Sequence, residues 1–438
     1  MKRRRRDYCN ASSVETKLPL VALAAGALTL AAVVVALNFT NREKRVAQRI
    51  ARLYSASDPD FLRAMGVLLG PAIVGGNRVE VLLNGERIFP AMLDAIRHAK
   101  KSITFESFVY GSGTVGKSFA DALAERSRAG VKVHVLLDWV GSNRMDPAQL
   151  ARMEQAGIEV RRFHPPHWYN LARMNNRTHR KVLVLDGEVG FTGGVGIADQ
   201  WTGDAQDPDH WRDTHFRAEG PVVAQLQAVF SDNWIKATGG VLHGPDYFPA
   251  LQPSGTSSAQ MFSSSSSGGS ESMQLMYLLA ITAAQRSIHL STAYFVPDPL
   301  TLRTLADAVK RGVKLQIIAP GEHTDAKSVR RASRARWGPL LEAGAEIYEY
   351  LPTMYHCKVM IVDALLVSVG STNFDNRSFQ LNDEANLNIY DADFATRQIE
   401  IFQDDLRRSR RISLEEWQQR PRAEKLWEHA ASLVGAQM

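Results

Sequence analysis

The sequence predicts an α/β protein made of two duplicated lobes, each a mixed β-sheet flanked by helices, behind one N-terminal transmembrane helix. Three observations carry this. An uncharged run lies between two basic flanks near the start. After it, buried-looking strand runs alternate with stretches of helical periodicity, and the order of those runs occurs twice. The chain has 438 residues, 45% of them hydrophobic and 22% charged, enough to bury a large core. Disorder throughout, a collagen-like rod and a multi-span membrane protein are thereby excluded. Cys9 and Cys357 stand too far apart, and too alone, for a disulfide framework or a Cys-rich zinc fold.

The chain divides into a basic arm (1–17), an anchor (18–41), a juxtamembrane helical linker (42–77), a first lobe (78–251), a Ser/Gly-rich connector (252–272) and a second lobe (273–438). Residues 1–52 carry eleven basic and three acidic side chains, whereas the remainder carries 41 basic against 43 acidic. A nucleic-acid binder concentrates positive charge on its folded body. Here the excess sits at the N-terminal end, which points to a membrane surface and to no nucleic-acid partner. No charged residue occurs between Lys17 and Arg42, and Leu18–Asn41 is long enough to cross a core of about 30 Å as a helix. A cleaved signal peptide ending near Val34-Val35-Ala36 is the competing reading. The length of the apolar run favours an anchor. Lys2–Arg6 and Lys17 on one side face Arg42, Lys44, Arg45, Arg49 and Arg52 on the other, so charge asymmetry leaves the orientation open, with the Arg3–Arg6 cluster leaning towards a cytoplasmic N-terminus.

Beyond about Val79 the elements recur. Helix-periodic stretches (Phe89–Lys100, Met276–Arg286) precede β-rich runs at Ser102–Phe105 and Ser287–Leu290. Gly130-Val131-Lys132-Val133 is matched by Gly312-Val313-Lys314-Leu315. Ala156–Val160 is matched by Ala343–Ile347. Strand, helix, strand, helix, strand thus occurs twice. Gln252–Ser272, with its run Ser263–Ser267, reads as connector and loop.

The third matched segment carries chemistry. His179-x-Lys181-x4-Asp186 is followed by Gly193-Gly194, and His356-x-Lys358-x4-Asp363 by Gly370-Ser371-Thr372-Asn373, all at one offset of 177. A lone H-x-K is an ordinary strand with polar tips; two copies in register are not. The apolar run after each lysine reads as a buried strand, whose alternation puts His and Lys on one face and Asp on the other. His179, Lys181, Asp186, His356, Lys358 and Asp363 form the candidate catalytic set. Within it the aspartates are expected to hold backbone or loop groups. An imidazole serves as nucleophile, acid or base near neutrality, and an ammonium is a point charge suited to phosphate oxygen. Two lobes brought together offer one histidine to attack, one to protonate the leaving group and two lysines to hold the anion. That is a double displacement with no metal or other cofactor.

These motifs resemble those of the phospholipase D superfamily, and within it the bacterial cardiolipin synthases, over the chain from about Val79 onward. Ser291–Asp298 and His210-Trp211-Arg212-Asp213 extend the similarity. The resemblance implies two phospholipase D-like lobes, a phosphohistidine on His179, and His356 as acid and then base. Asp213 and Glu384 match acidic positions that orient the imidazoles, with Asp383 a near competitor to Glu384. Gly194, Ser371 and Asn373 match substrate-binding or orienting positions. Where the second lobe has Asn373, the first has Gly196. The implied activity is a membrane-anchored phosphatidyltransferase that makes cardiolipin from phosphatidylglycerol, in the bacterial inner membrane. Hydrolysis to phosphatidic acid is the alternative, and a nuclease is disfavoured by the neutral body.

Three other features compete. Gly111–Ser118 fits G-x4-G-K-[ST], which would make Lys117 part of a nucleotide-binding module. The second lobe's equivalent turn, Val296-Pro297-Asp298-Pro299, keeps no phosphate-binding glycines, so the turn reads as a connection. His164 and His167 lack the further ligands of a metal set and read as pocket rim, with Trp168 and Tyr169 suited to a headgroup boundary. Cys357 reads as buried packing.

Overall fold

The computed structural model describes residues 22–23, 25–30, 33, 46–165, 176–265 and 272–434. The chain forms two compact units, Met1–Lys44 and Arg45–Met438. Described residues of the first are helical, with Leu23, Leu28 and Leu30 exposed. Among the described residues no helix is long and apolar enough to cross a membrane. Most of the expected anchor, and all of the arm, lie outside them.

In the second unit, seven strands belong to the first half of the chain: β1 (Val74–Leu83), β2 (Ser102–Ser107), β3 (Lys132–Asp138), β4 (Glu159–Phe163), β5 (Val182–Leu185), β6 (Val189–Gly193) and β7 (Thr214–Glu219). The second half supplies β8 (Ser257–Ser264), β9 (Ser287–Thr292), β10 (Phe295–Val296), β11 (Lys314–Pro320), β12 (Glu346–Tyr350) and β13 (Lys358–Val362). It continues with β14 (Leu366–Gly370), β15 (Phe374–Asp375), β16 (Glu384–Tyr390) and β17 (Ser409–Ile412). All but β10 and β15, a separate parallel pair, join one 15-stranded sheet ordered β17-β12-β11-β9-β13-β14-β16-β8-β1-β7-β6-β5-β2-β3-β4. Read outward from the central β8–β1 pair, the two halves run through seven equivalent strands each, and β17 adds an eighth at the outer edge of the second.

The duplication follows from local chemistry. β2 and β9 are buried along nearly their whole length, as parallel strands covered by helices must be. The helices Thr114–Arg128 and Pro299–Lys310 each run to a glycine, Gly130 and Gly312, with φ of 91° and 96°, which side chains with a Cβ resist. The chain then enters β3 or β11, parallel to β2 or β9. The expected helices begin earlier than predicted, at Asn84 and Met273.

Three expectations need correction. The lobes do not carry separate sheets. β1 and β8 pair antiparallel across the middle through a bulge, so each lobe's exposed edge is covered by the other's. The connector is also not all loop. Ser257–Ser264 is strand β8, paired with β16 over seven residues, so the second lobe begins there rather than at 273. Its serines are small enough to pack in the sheet although they lack the apolar alternation that marks a strand. The linker 42–77 is helical only over Pro59–Leu68 among its described residues, and its end belongs to β1. One apolar cluster crosses the join, with Val182 and Phe216 of the first lobe and Val359, Leu387 and Phe394 of the second. Burying side chains of this size contributes about 1.5–3 kcal/mol each, which holds the seam.

Candidate active site

The motif strands proper start at Val182 and Lys358, so each histidine lies just before its strand, where the chain crosses to the other lobe. The His179 amide donates to the Asp383 carbonyl (2.9 Å) and the His356 amide to the Arg212 carbonyl (2.8 Å). Return bonds run from Asp383 to the Arg177 carbonyl (2.9 Å) and from Arg212 to the Met354 carbonyl (3.0 Å). Arg212 is anchored by a buried two-pronged ion pair with Asp405, at 2.8 and 2.9 Å.

This crossing exchanges the carboxylates. His179 of the first lobe lies with Nδ1 3.0 Å from both oxygens of Glu384 of the second. His356 of the second lobe lies with Nδ1 2.6 Å from Asp213 of the first. Asp383 turns instead to Lys236, at 3.6 Å, so Glu384 is the partner of the imidazole. Lys181 donates to the His179 carbonyl (2.8 Å), and Lys358 to the His356 carbonyl (2.6 Å), its Nζ also lying 3.0 Å from His356 Nδ1 and 3.2 Å from Nε2. All six groups are buried.

Burial pushes the His179 imidazole down to about 4, against the opposing pull of Glu384. Burial, helped by the Lys358 charge, lowers His356 as well. Burial alone would raise Asp213 and Glu384. The facing imidazoles, through charge and hydrogen bond, outweigh it and hold both below the usual carboxylate range. An ionised carboxylate only accepts, so each Nδ1 carries the proton and each Nε2 presents a lone pair. Burial brings Lys181 down to about 7, with Glu384 opposing, and lowers Lys358 in the same sense. Lys358 also acts electrostatically on both His179 and Lys181, which ties the two halves into one site.

The glycine motifs support the carboxylates. A Cβ at Gly194 would fall inside the Asp213 carboxylate. Ser371 Oγ donates to Glu384 at 2.5 Å. Asn373 is 4% exposed, and its Oδ1 has no partner among the described residues. Gly196 leaves no room for a matching asparagine, since a Cβ there would lie 2.7 Å from that of Val109. Asp186 and Asp363 are not brought to the site. Asp186 accepts from the amides of Lys100, Lys101 and Ser102, and Asp363 from those of Gln285, Arg286 and Ser287. Sequence reasoning missed the aromatic walls. Phe108 meets His179 edge-on at 5.1 Å, and Trp201, whose Nε1 donates to Asp213 at 3.0 Å, meets His356 at 5.3 Å. Trp201 follows the glycine motif closely, and that proximity was the available signal.

The competing motifs are accounted for. At the P-loop-like turn the amides of Thr114 and Val115 donate to the Asp199 carboxylate, both at 2.9 Å, so the protein's own anion fills the cradle. His164 bonds the Asn176 carbonyl at 3.0 Å, while His167, Trp168 and Tyr169 lie outside the described residues. Cys357 is buried, and burial pushes its thiol up to about 12.

The duplication and the exchanged carboxylates put the molecule in the class of phospholipase D-like enzymes. The family model described as "Cardiolipin synthase, PLD-like domain" matches residues 92–234 and 277–406, one match in each half. A cardiolipin synthase of Geobacillus kaustophilus is 36% identical over 361 residues, 82% of this chain and 72% of that one. Cardiolipin synthase A of Pseudomonas syringae is 34% identical over 395 residues, 90% of this chain and 80% of that one. The chain belongs to the cardiolipin synthase, phospholipase D-like family. A phosphatidylserine synthase from Haemophilus influenzae shares the fold, with a TM-score of 0.64 at 15% identity, over 86% of this chain and 99% of that one.

Proposed function

We propose that the chain is a phosphatidyltransferase that builds cardiolipin from two molecules of phosphatidylglycerol, working as a membrane-anchored enzyme. The observation that carries this reading is the exchange of carboxylates: each imidazole is completed by the opposite lobe, so both belong to one pocket. His179 is the nucleophile, because among the described residues Lys181 bonds only its carbonyl and no group bonds its Nε2. His356 handles the alcohol proton, with the Lys358 ammonium against its ring, 3.0 Å from Nδ1 and 3.2 Å from Nε2.

His179 Nε2 attacks the phosphorus of one lipid, and the bond to the glycerol oxygen breaks. Arrival of the phosphodiester's charge favours the imidazolium form of His356, which gives its proton to the departing alkoxide. A phosphatidyl group now sits on His179 and glycerol leaves. The hydroxyl of a second lipid then gives its proton to His356 and attacks phosphorus, and the N–P bond breaks to free His179. Lys181, Lys358 and Asn373 stabilise the charge that grows on the phosphoryl oxygens. Glu384 and Asp213 are positioning residues that fix the tautomers.

The test uses the purified chain with phosphatidylglycerol vesicles containing EDTA, followed by lipid separation. Cardiolipin with free glycerol is expected. His179→Ala and His356→Ala should each lower turnover by about 10³-fold or more. Phosphatidic acid as the main product would make the protein a hydrolase, and dependence on metal would rule out the two-lysine anion site.

A further inference from the structure

The two lobes differ at the corner of the site where their copies should match. Ser107 Oγ donates to the Val109 carbonyl at 2.8 Å, and Thr292 Oγ1 to the Tyr294 carbonyl at 2.7 Å, so Val109 and Tyr294 are equivalents. The bridge Tyr110–Ile197 likewise corresponds to Phe295–Phe374, which makes Gly196 the equivalent of Asn373. In the first lobe this corner is closed by apolar packing of Val109 on Gly196. In the second it is polar: Tyr294 and Asn373 stand at the head of the β10–β15 pair, and the Tyr294 hydroxyl donates to Asp325 at 2.6 Å. Asp325 is exposed and makes no ion pair among the described residues. Its charge nevertheless reaches His356 and Lys358, opposing the effect of burial on each.

An unpaired carboxylate at the rim of a phosphate site repels the anion that the lysines attract. It is therefore suited to the part of the substrate that is not phosphate. Asp325, the Tyr294 oxygen and the orphaned Asn373 Oδ1 are all hydrogen-bond acceptors; Tyr294 and Asn373 follow β9 and β14, the strands paired on either side of β13, at the end where Lys358 enters it. We infer that Tyr294, Asp325 and Asn373 form a subsite on the second lobe that binds the hydroxyl groups of the acceptor alcohol and selects a polyol over a simple alcohol or water. A glycerol headgroup can bridge two acceptors with neighbouring hydroxyls while offering one oxygen to phosphorus. A monohydric alcohol cannot. This rests on the transferase reading above and adds the residues that choose the acceptor.

The test supplies the full-length protein, in phosphatidylglycerol vesicles, with isotopically labelled glycerol and ethanol in competition. Transfer to the first labels phosphatidylglycerol, and transfer to the second makes phosphatidylethanol. Asp325→Asn should lower the glycerol-to-ethanol ratio about tenfold, through a higher KM for glycerol. Tyr294→Phe should lower it less, and Asp325→Glu should recover part of it. An unchanged ratio in Asp325→Asn, with both products still formed, overturns the subsite and leaves the transferase standing. Absence of every transfer product from the unaltered chain overturns both.

Discussion

His179 and Lys181 set opposite limits on the pH at which the site can work. His179 attacks only when neutral, and burial has brought it to about 4, so that requirement is met above that pH. Lys181 holds phosphate only when charged, and burial has brought it to about 7, so its attraction fades as pH rises past that point. The expected kcat/KM profile climbs through about pH 4, then declines as His356, which must carry a proton to serve the leaving group and which burial lowers from its ordinary value, and at about pH 7 Lys181, lose theirs. Lys181→Arg, whose guanidinium stays charged, should remove the part of the decline centred near pH 7 and leave the part set by His356, even if the maximum falls. A wild-type profile flat to pH 9 would contradict this account of the lysine. The residue types and their spacing were readable in advance, because H-x-K-x4-D recurs at a constant offset. The exchange of partners was not readable, since Glu384 lies 205 residues from His179 and no local pattern records which imidazole a carboxylate will meet.

The aspartate that closes each motif works on an element rather than on substrate. Asp186 caps the amides of Lys100, Lys101 and Ser102 where the first helix of the lobe turns into β2, and Asp363 repeats this ahead of β9. Asp186→Ala orphans three donors and should cost about 2–3 kcal/mol of stability, read by denaturant unfolding. A loss under half that would mean water replaces the carboxylate without penalty. Asp186 and Asp363 do this from the turns just after β5 and β13, with φ of 55° and 53°, so the turn and not strand alternation places them. In β8 the serines conceal a strand that becomes intelligible only between β16 and β1, where small side chains fit a crowded interior.

Continuity of the sheet makes the body a single framework in which the halves complete one another. A lobe on its own would lack the carboxylate for its histidine and would leave β1 or β8 as an open edge. The excess positive charge at the N-terminal end and the uncharged Leu18–Asn41 run lead to a separate expectation. The full chain should stay with membranes through an alkaline carbonate wash, and its release into the wash would remove the anchor from the account.

Composition, periodicity and duplicated spacing determined that this is a repeated α/β protein with paired histidines and lysines, because such features are local and survive as patterns along the chain. Only the folded molecule decided that the sheets fuse, that each lobe lends its acid to the other's imidazole, and that Asp199 occupies the P-loop-like turn. Those outcomes depend on contacts between segments distant in sequence, whose geometry is set by the packing of the whole seam.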